Sequence, residues 1–372
     1  MRVLICPDKF AGTLTAVEAA EAVAAGWAEV APGDELVRRP LADGGTGFVD
    51  VIAAAVGGRE VPVPTVDPLG RPVPGRILVT DAAGYVESAQ ACGLHLLALD
   101  ERDPKTTTSY GLGALVAAAV ESGVPEIVVG LGGSGTNDAG AGMLAALGAP
   151  VLDAAGYALP YGGAALVEAA GFAGEPRLRD VRLVAAADVD NPLTGLHGAS
   201  AVFGPQKGAS REDVLLLDAA LEHFAGVLQT LPGCPPDLAA QPGAGAAGGI
   251  GAALLALGAR RVSGIGLVRE LTGLDQVLDE ADLVITGEGS FDAQSLRGKV
   301  VSGVATAARD RGLPCVVLAG QASAGRREAA AAGVTDVYTL VQHFGNVDEA
   351  LARPADGLSA LAKRLAGQWS RT

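Results

Sequence analysis

The sequence contains few aromatic residues and few cysteines, and both shortages limit what the protein can be. Of its 372 residues only 4% are aromatic, so the core must be built from Ala, Val, Leu and Ile. The four cysteines lie far apart and form no Cys-x-x-Cys pair: Cys6, Cys92, Cys234 and Cys315. This spacing argues against a zinc site or a disulfide framework, and it is typical of a cytoplasmic protein in a reducing compartment.

Positive charge is also scarce, because 27 Lys and Arg residues oppose 42 Asp and Glu residues and the net charge is −15. Nucleic-acid binding depends on Lys and Arg that neutralise phosphates, so nucleic acid is not the expected partner. The uncharged stretch 238–259 is long enough to span a bilayer, but it contains six glycines, Gln241 and Pro242. It predicts a loop and a buried helix, and no membrane partner.

Glycine and proline are abundant, with 53 and 21 residues, while 49% of the chain is hydrophobic. The chain is therefore rich in turns but too apolar to be disordered. Its length predicts two domains, or three.

The order of the apolar segments predicts the α/β class. A strand over 2–6 precedes a helix that Thr15 and Glu18 can begin as a capping box. Near the end of the chain, strands at 282–286 and 314–318 flank a helix over 300–311, whereas the Pro-rich segment from Val61 indicates antiparallel strands. The simplest architecture is a Rossmann-like parallel-sheet domain built from both chain ends, 1–64 and 265–372, with a second α/β domain, 65–264, inserted.

One glycine motif does not have the context of a cofactor site. Residues 243–248 match Gly-x-Gly-x-x-Gly, but no strand precedes them, so close packing at a helix start is the preferred interpretation. A phosphate bound at the N-terminus of that helix is the alternative. The sequence also has no Walker A motif and no Gly-x-Ser-x-Gly. A serine hydrolase is therefore not favoured.

Three loops that follow predicted strands carry polar residues, as ligand sites in open α/β sheets do. The first, after the strand at 126–131, is a Gly-rich turn whose backbone N–H groups would hold an anion, with Ser134, Thr136 and Asn137 as further donors. The alternative is that the glycines only permit a tight turn. The second contains Asp188 and Asp190, which would face the same way on extended chain as a Mg²⁺ or general-base site requires, or would form an Asx turn before Pro192.

The third loop brings Glu288, Asp292, Gln294, Arg297 and Lys299 into one short segment. The strand directly before it favours a ligand site, and a solvated loop is the alternative.

Long blocks of the sequence closely resemble, in order, those of the bacterial type I glycerate kinases: PDKFAGTLTA, LADGG, GLGGSGTNDAGAGMLAALG, AAADVDNPLTGLHGASAVFGPQKGA, GAGAAGGIGAALLALGA and ADLVITGEGSFDAQSLRGK. The resemblance covers nearly the whole chain. It implies ATP-dependent phosphorylation of D-glycerate at the 2-hydroxyl. It also implies an active site in the cleft between the two domains, with glycerate and ATP as ligands of a monomer or homodimer.

Several polar positions depart from the family pattern. Lys9 and Ala11 stand where PDSFKG is expected, Thr46 and Phe48 alter ADGGEGT, Ala114 replaces an acidic residue, and Ser290 replaces an Arg. Two alternatives stay open as a result: a kinase for a related small hydroxy acid, or a non-catalytic ligand-binding paralogue.

Phosphoryl transfer requires positioning and charge neutralisation, and these needs suggest roles. We expect Asp188 and Asp190, or else Glu288 and Asp292, to bind Mg²⁺. Asp190 or Asp8 would accept the hydroxyl proton, and Lys207 and Lys9 would offset the charge on the transferred group. The other candidate residues for glycerate and ATP lie in the LADGG segment and in the three loops: Asp43, Gly44, Gly45, Gly133, Ser134, Thr136, Asn137, Asp138, Asn191, Gln294, Arg297 and Lys299.

Overall fold

The computed structural model describes residues 1–10, 12–293, 295–296 and 300–370. Its strands, in chain order, are β1 Arg2–Ile5, β2 Glu35–Arg38, β3 Arg59–Val66, β4 Pro72–Val79, β5 Gly84–Glu87, β6 Glu126–Gly130, β7 Val151–Leu152, β8 Gly171–Phe172, β9 Arg182–Ala186, β10 Arg260–Val262, β11 Leu283–Phe291, β12 Cys315–Ala322 and β13 Asp336–Thr339.

The α-helices are α1 Ala16–Val30, α2 Phe48–Val56, α3 Ala89–Cys92, α4 Tyr110–Glu121, α5 Ala141–Ala146, α6 Ala199–Phe203, α7 Arg211–Leu228, α8 Ala246–Ala256, α9 Gly264–Thr272, α10 Leu274–Leu278, α11 Val300–Asp310, α12 Arg326–Ala331, α13 Leu340–Phe344, α14 Val347–Ala352 and α15 Pro354–Trp369. Short 3₁₀ helices add Leu94–Leu96, Leu99–Glu101, Gly163–Glu168, Pro205–Lys207 and Leu238–Ala240.

The chain divides into two compact units. The first comprises residues 1–43, 50–56 and 265–372, and the second comprises 44–49 and 57–264. The predicted α/β class, with a parallel sheet assembled from both chain ends, is confirmed. Strand β3 lies entirely in the second unit, whereas the predicted boundary between 64 and 65 divides it.

The first unit contains a fully parallel sheet in the order β13-β12-β11-β1-β2. From the central pair β1–β11, the later strands are added outward in opposite directions, which makes this pair the topological switch point of the sheet. Helix α1 begins at the predicted capping box, in which Thr15 Oγ1 accepts from Glu18 N at 3.1 Å and Glu18 Oε2 accepts from Thr15 N at 2.9 Å.

Strand β11 is longer than the sequence indicated, because the segment expected to be a loop after 286 continues the pairing with β12. Ser290 pairs with Gln321 and Phe291 with Ala322. Two glycines allow this close approach: a Cβ on Gly287 would overlap the Leu318 carbonyl, and a Cβ on Gly320 would overlap the Gly289 carbonyl. The acidic residue Glu288 therefore stands on a strand and not in a loop.

The second unit contains a mixed sheet in the order β10-β9-β6-β5-β4-β3. Strands β3, β4 and β5 are antiparallel, as the Pro-rich segment predicted, while β5, β6, β9 and β10 are parallel. The small pair β7–β8 is antiparallel. The parallel strands end at one edge, so the loops that follow Glu87, Gly130 and Ala186 are neighbours.

The Gly-x-Gly-x-x-Gly segment at 243–248 serves close packing, as predicted. Ala247, Gly248 and Gly249 have positive φ at the start of α8, and a Cβ on Gly248 would overlap the Thr136 carbonyl oxygen. Across the described part of the chain, every helix is too short or too polar to span a bilayer.

Helices α1 and α15 pack with their backbones close together at Gly26, and this contact can be tested. A Cβ on Gly26 would overlap the Ser359 backbone, so Gly26→Ala must push the helices apart. We expect it to lower the free energy of unfolding by about 1–3 kcal/mol, the usual cost of overpacking. Thermal and urea unfolding would measure the change.

Gly367→Ala provides the matched control, because Gly367 lies on α15 with nothing within 4 Å of its added Cβ. This substitution should stabilise the protein by up to about 1 kcal/mol through helix propensity. Equal effects of the two substitutions would contradict the close contact.

Candidate functional site

The first unit contains a cavity of about 420 Å³ at the carboxyl ends of β1, β11 and β12. We call it the acidic cavity. It is lined by Asp8, Lys9, Phe10, Thr13, Asp43, Glu288, Gly289, Ser290, Asp292, Gly320, Gln321, Leu340, Val341, Val347, Ala350 and Leu351. The structure thus brings together five residues that the sequence singled out in three separate segments: Asp8, Lys9, Asp43, Glu288 and Asp292.

The Lys9 ammonium lies between two carboxylates of this cavity. Its Nζ is 3.6 Å from Asp8 Oδ1 and 3.8 Å from Asp43 Oδ1, and its backbone N–H donates to Asp8 Oδ1 at 2.7 Å. Burial raises the pKa of Asp8 to about 6, with Lys9 opposing the shift and Asp43 adding to it. A carboxylate with such a pKa is ionised at neutral pH and still accepts a proton readily, as a general base must.

Glu288 and Asp292 contribute two further carboxylates to the acidic cavity. Glu288 is buried, and Asp292 Oδ1 accepts from Ser295 N at 3.1 Å. Among the described residues no three His, Cys, Asp or Glu side chains form a group that could hold a metal by themselves. Mg²⁺ usually takes one or two carboxylates and completes its shell with water and phosphate oxygens. The acidic cavity fits that kind of site.

Asp188 and Asp190 interact with residues around β10 in the second unit. These two carboxylates were the metal ligands that the sequence favoured. Asp188 Oδ1 accepts from Ser263 Oγ at 2.6 Å, and Asp190 Oδ1 is 2.5 Å from Arg261 Nη2. The Asp190 side chain is 78% exposed. Asn191 Nδ2 donates to the His197 carbonyl at 2.7 Å. The loop therefore uses these side chains in one ion pair and two hydrogen bonds, and the exposed, ion-paired Asp190 is a poor candidate for a base.

The second unit contains a smaller cavity of about 110 Å³, which we call the lysine cavity. It is lined by Leu131, Gly132, Gly133, Ser134, Val189, Phe203, Gln206, Lys207, Ala247 and Gly248. Lys207 is 1% exposed, and its Nζ donates to Ser134 Oγ at 3.0 Å and to the Thr136 carbonyl at 2.6 Å. Burial lowers the pKa of Lys207 to about 7, opposed by the negative charge of Asp138.

A buried carboxylate anchors the loop around Lys207. Asp138 Oδ2 accepts from Ser109 N at 2.8 Å, Ser109 Oγ at 2.9 Å and Gly142 N at 3.2 Å, and burial raises its pKa. Asn137 Nδ2 donates to Ser200 Oγ at 2.9 Å. Thr136, Asn137 and Asp138 are fully buried and do not line the cavity, whereas Gly133 and Ser134 do. The first three thus shape the loop that presents the last two.

The loop that contains Gly44 and Gly45 lies against the same turn. Gly44 has φ +90°, and a Cβ there would be 2.9 Å from the Ala186 carbonyl. A Cβ on Gly132 would be 2.7 Å from Gly45 Cα. Only glycine permits this approach of two backbones.

Sequence reasoning missed several residues that line or support these cavities. Glu87, at the end of β5, accepts from Gly47 N at 3.1 Å and Val49 N at 3.3 Å and so fixes the 44–49 loop. Its position after an apolar strand was the available signal. Phe203 and the apolar residues of α13 and α14 have no polar motif to mark them, whereas Gln206 stands next to Lys207 and that position was the available signal. Three predicted residues, Gln294, Arg297 and Lys299, lie outside the described residues.

Comparison with known proteins identifies the family. Residues 3–370 match the family model described as the glycerate kinase family. The chain belongs to the glycerate kinase family. It is 40% identical to the glycerate 2-kinase of Escherichia coli K12 and 40% identical to the glycerate kinase of Bacillus subtilis 168, covering 98% of this chain and 97% of each relative.

A crystal structure described as a glycerate kinase 2 of Salmonella typhimurium LT2 has the same fold. The TM-score is 0.80 at 38% identity, covering 99% of this chain and 98% of that one. The predicted resemblance is confirmed, and the protein is a kinase. In this kinase two departures from the family pattern, Lys9 and Ser290, line the acidic cavity.

The burial of the Asp8 carboxylate should affect how the free energy of unfolding of the kinase depends on pH. The folded state raises the pKa of Asp8 to about 6 from its ordinary value of 3.8, so burying the ionised carboxylate lowers the free energy of unfolding. This loss is absent below pH 4, where Asp8 is protonated in both the folded and the unfolded state, and it is complete above pH 6. Asp8→Asn removes that cost. The variant should gain up to about 3 kcal/mol of stability relative to wild type between pH 4 and pH 7.

Urea unfolding of both proteins at several pH values would measure this gain. Asp43→Asn is the control, since the Asp43 side chain is 33% exposed although it lies equally near Lys9. A stability difference for Asp8→Asn that stays constant with pH would show that Asp8 has no raised pKa.

Proposed function

We propose that this kinase transfers the terminal phosphoryl group of ATP, with Mg²⁺, to D-glycerate and forms 2-phosphoglycerate in the cytoplasm. The observation that supports this most is Lys207. Its ammonium is buried beside the Gly132–Ser134 turn and, among the described residues, is hydrogen-bonded only to neutral oxygens. A buried cation held by neutral groups, next to a glycine-rich turn, favours an anionic ligand.

Lys207 would act on the charge that develops during transfer. Negative charge spreads over the oxygens of the transferred phosphoryl group, and a fixed ammonium away from water stabilises it strongly. With a pKa of about 7, Lys207 is partly neutral in the free protein. An anion beside it would favour the charged form, so ligand binding and charging of the lysine would support each other.

Asp8 is our choice for the general base. The 2-hydroxyl oxygen of glycerate forms a bond to the terminal phosphorus, the bond from that phosphorus to the bridging oxygen of ATP breaks, and ADP leaves. The hydroxyl proton goes to Asp8 Oδ. The raised pKa and burial of Asp8 suit this task better than the exposed, ion-paired carboxylate of Asp190.

One or two of the carboxylates of Asp43, Glu288 and Asp292 would hold Mg²⁺, with water and phosphate oxygens as its other ligands, since all three line the acidic cavity with Asp8. When bound, Mg²⁺ neutralises phosphate charge and orients the oxygens around it. Lys9, held by Asp8 and Asp43, supplies a positive charge within the acidic cavity.

A kinase for a related small hydroxy acid is the second candidate function. Ser290 favours it, because this residue lines the acidic cavity where the family resemblance leads one to expect Arg. A guanidinium lost from a cavity wall changes which anionic groups the cavity accepts.

Turnover assays would decide between these functions. We expect ADP release with MgATP and D-glycerate, and much less with lactate or tartronate. Phosphorus NMR of the product should show a doublet, because a phosphate on carbon 2 couples to one proton, whereas carbon 3 would give a triplet. Preference for another acid would support the second candidate, and no release with any acid would contradict both.

Two substitutions would identify the base. Asp8→Asn should lower kcat by at least about 100-fold, the usual minimum for a catalytic acid or base. Asp190→Asn, the control, should stay within about threefold of wild type, because an exposed ion pair contributes little. Steady-state kinetics on folded variants would measure both. The reverse order of effects would assign the base to Asp190.

A further inference from the structure

The lining of the acidic cavity includes two chemically different sets of residues, which we call the charged wall and the aliphatic wall. One wall carries the charged residues Asp8, Lys9, Asp43, Glu288 and Asp292. The aliphatic wall consists of the lining residues of α13 and α14, which are all aliphatic: Leu340, Val341, Val347, Ala350 and Leu351. A ligand that fills such a cavity must itself have one apolar part and one part suited to carboxylates and a lysine.

Two residues of the aliphatic wall are uncovered. Val347 is 48% exposed and Leu351 is 57% exposed, although both are large and apolar. They stand four residues apart on α14, so they lie on the same face of that helix. Their position at a cavity of about 420 Å³ distinguishes them from scattered surface apolar residues. The wall offers a flat ligand an apolar surface of two side chains.

The charged wall indicates what the other part of the ligand must be. Four carboxylates oppose one lysine, so a bare polyphosphate would be repelled. A polyphosphate that arrives with Mg²⁺ brings the cation these carboxylates would bind. The cavity also lies at the carboxyl ends of β1 and β11, the pair at which the strand order reverses, and nucleotides in open parallel sheets bind at such a point.

We propose that the aliphatic wall of the acidic cavity binds the base and ribose of the nucleotide that donates the phosphoryl group, with its metal-bound phosphates toward Asp8 and Glu288. This assignment rests on the proposed function, because it takes the donor to be a nucleoside triphosphate. The first unit thereby supplies the nucleoside site from residues that carry no recognisable nucleotide motif. Aliphatic side chains would contact the faces of the base and leave its edges to the main chain or to water.

The test uses the variant Val347→Gln/Leu351→Gln in the full chain. Both positions are exposed, so the variant should fold, and glutamine adds no charge that could act on phosphate. We expect the Kd for MgADP, measured by calorimetry without glycerate, to rise at least about tenfold as the apolar contact is lost. The KM for ATP should rise in parallel, while the KM for glycerate should stay within about twofold of the wild-type value.

Val30→Gln is the matched control, because Val30 is similarly exposed on the first unit but does not line the cavity. Its Kd for MgADP should equal that of wild type. An unchanged Kd in the double variant, or a rise in the KM for glycerate alone, would overturn the nucleoside site.

The same measurements distinguish a failure of the proposed function from a failure of the nucleoside site. If wild type binds MgADP with a Kd that depends on Val347 and Leu351 but phosphorylates no hydroxy acid, the nucleoside site stands and the acceptor assignment fails. If wild type phosphorylates glycerate and the double variant binds MgADP normally, the function stands and the site assignment fails. A wild-type protein that shows neither binding nor turnover would contradict both.

Discussion

Removal of charged side chains from water is the constraint on which both cavities depend. Lys207 and Asp8 are almost completely buried, and each has a pKa displaced toward neutrality by that burial. Burial of a charge is costly unless the surroundings compensate it. Lys207 is held by Ser134 and the Thr136 carbonyl, and Asp8 by Lys9 and its backbone N–H. The free-energy cost of burying these charges is what shifts the two pKa values, and a phosphotransferase would use a lysine and a carboxylate with such pKa values.

Glycine makes this burial possible. Gly44 approaches Ala186, Gly132 approaches Gly45, and Gly248 approaches Thr136 so closely that a Cβ at any of these positions would collide with backbone. In the first unit, Gly287 and Gly320 let β11 and β12 extend together and carry Glu288 into the acidic cavity. The abundance of glycine in the composition therefore reflects backbone packing at the ends of parallel strands more than flexibility.

The acidic composition is compatible with anionic ligands because charge is arranged locally. Many carboxylates are matched by neighbouring cations, as in Asp190 with Arg261 and Asp67 with Arg71. Lys207, in contrast, donates its hydrogen bonds to two neutral oxygens, and the buried carboxylate of Asp138 acts on it without a hydrogen bond in the described part of the chain. The net charge of −15 therefore does not describe each site: the acidic cavity shares the excess of carboxylates, whereas the lysine cavity is lined, among the described residues, by a buried lysine and by no carboxylate.

The sequence alone determined the α/β class, the parallel sheet from both chain ends, the capping box of α1 and the family. These follow from local periodicity and from long motif blocks, which act over short distances along the chain. It also marked Asp8, Lys9, Asp43, Lys207 and Ser134 as candidates by their loops. Their neighbours were decided only by the tertiary structure, because residues such as Asp8, Glu288 and Leu351 are far apart in sequence and meet through strand order. The ion pair of Asp190 was likewise decided by the tertiary structure, because its partner Arg261 lies on β10, far along the chain. The aliphatic wall was also decided there, since apolar residues become a ligand surface only when folding leaves them exposed beside charged residues.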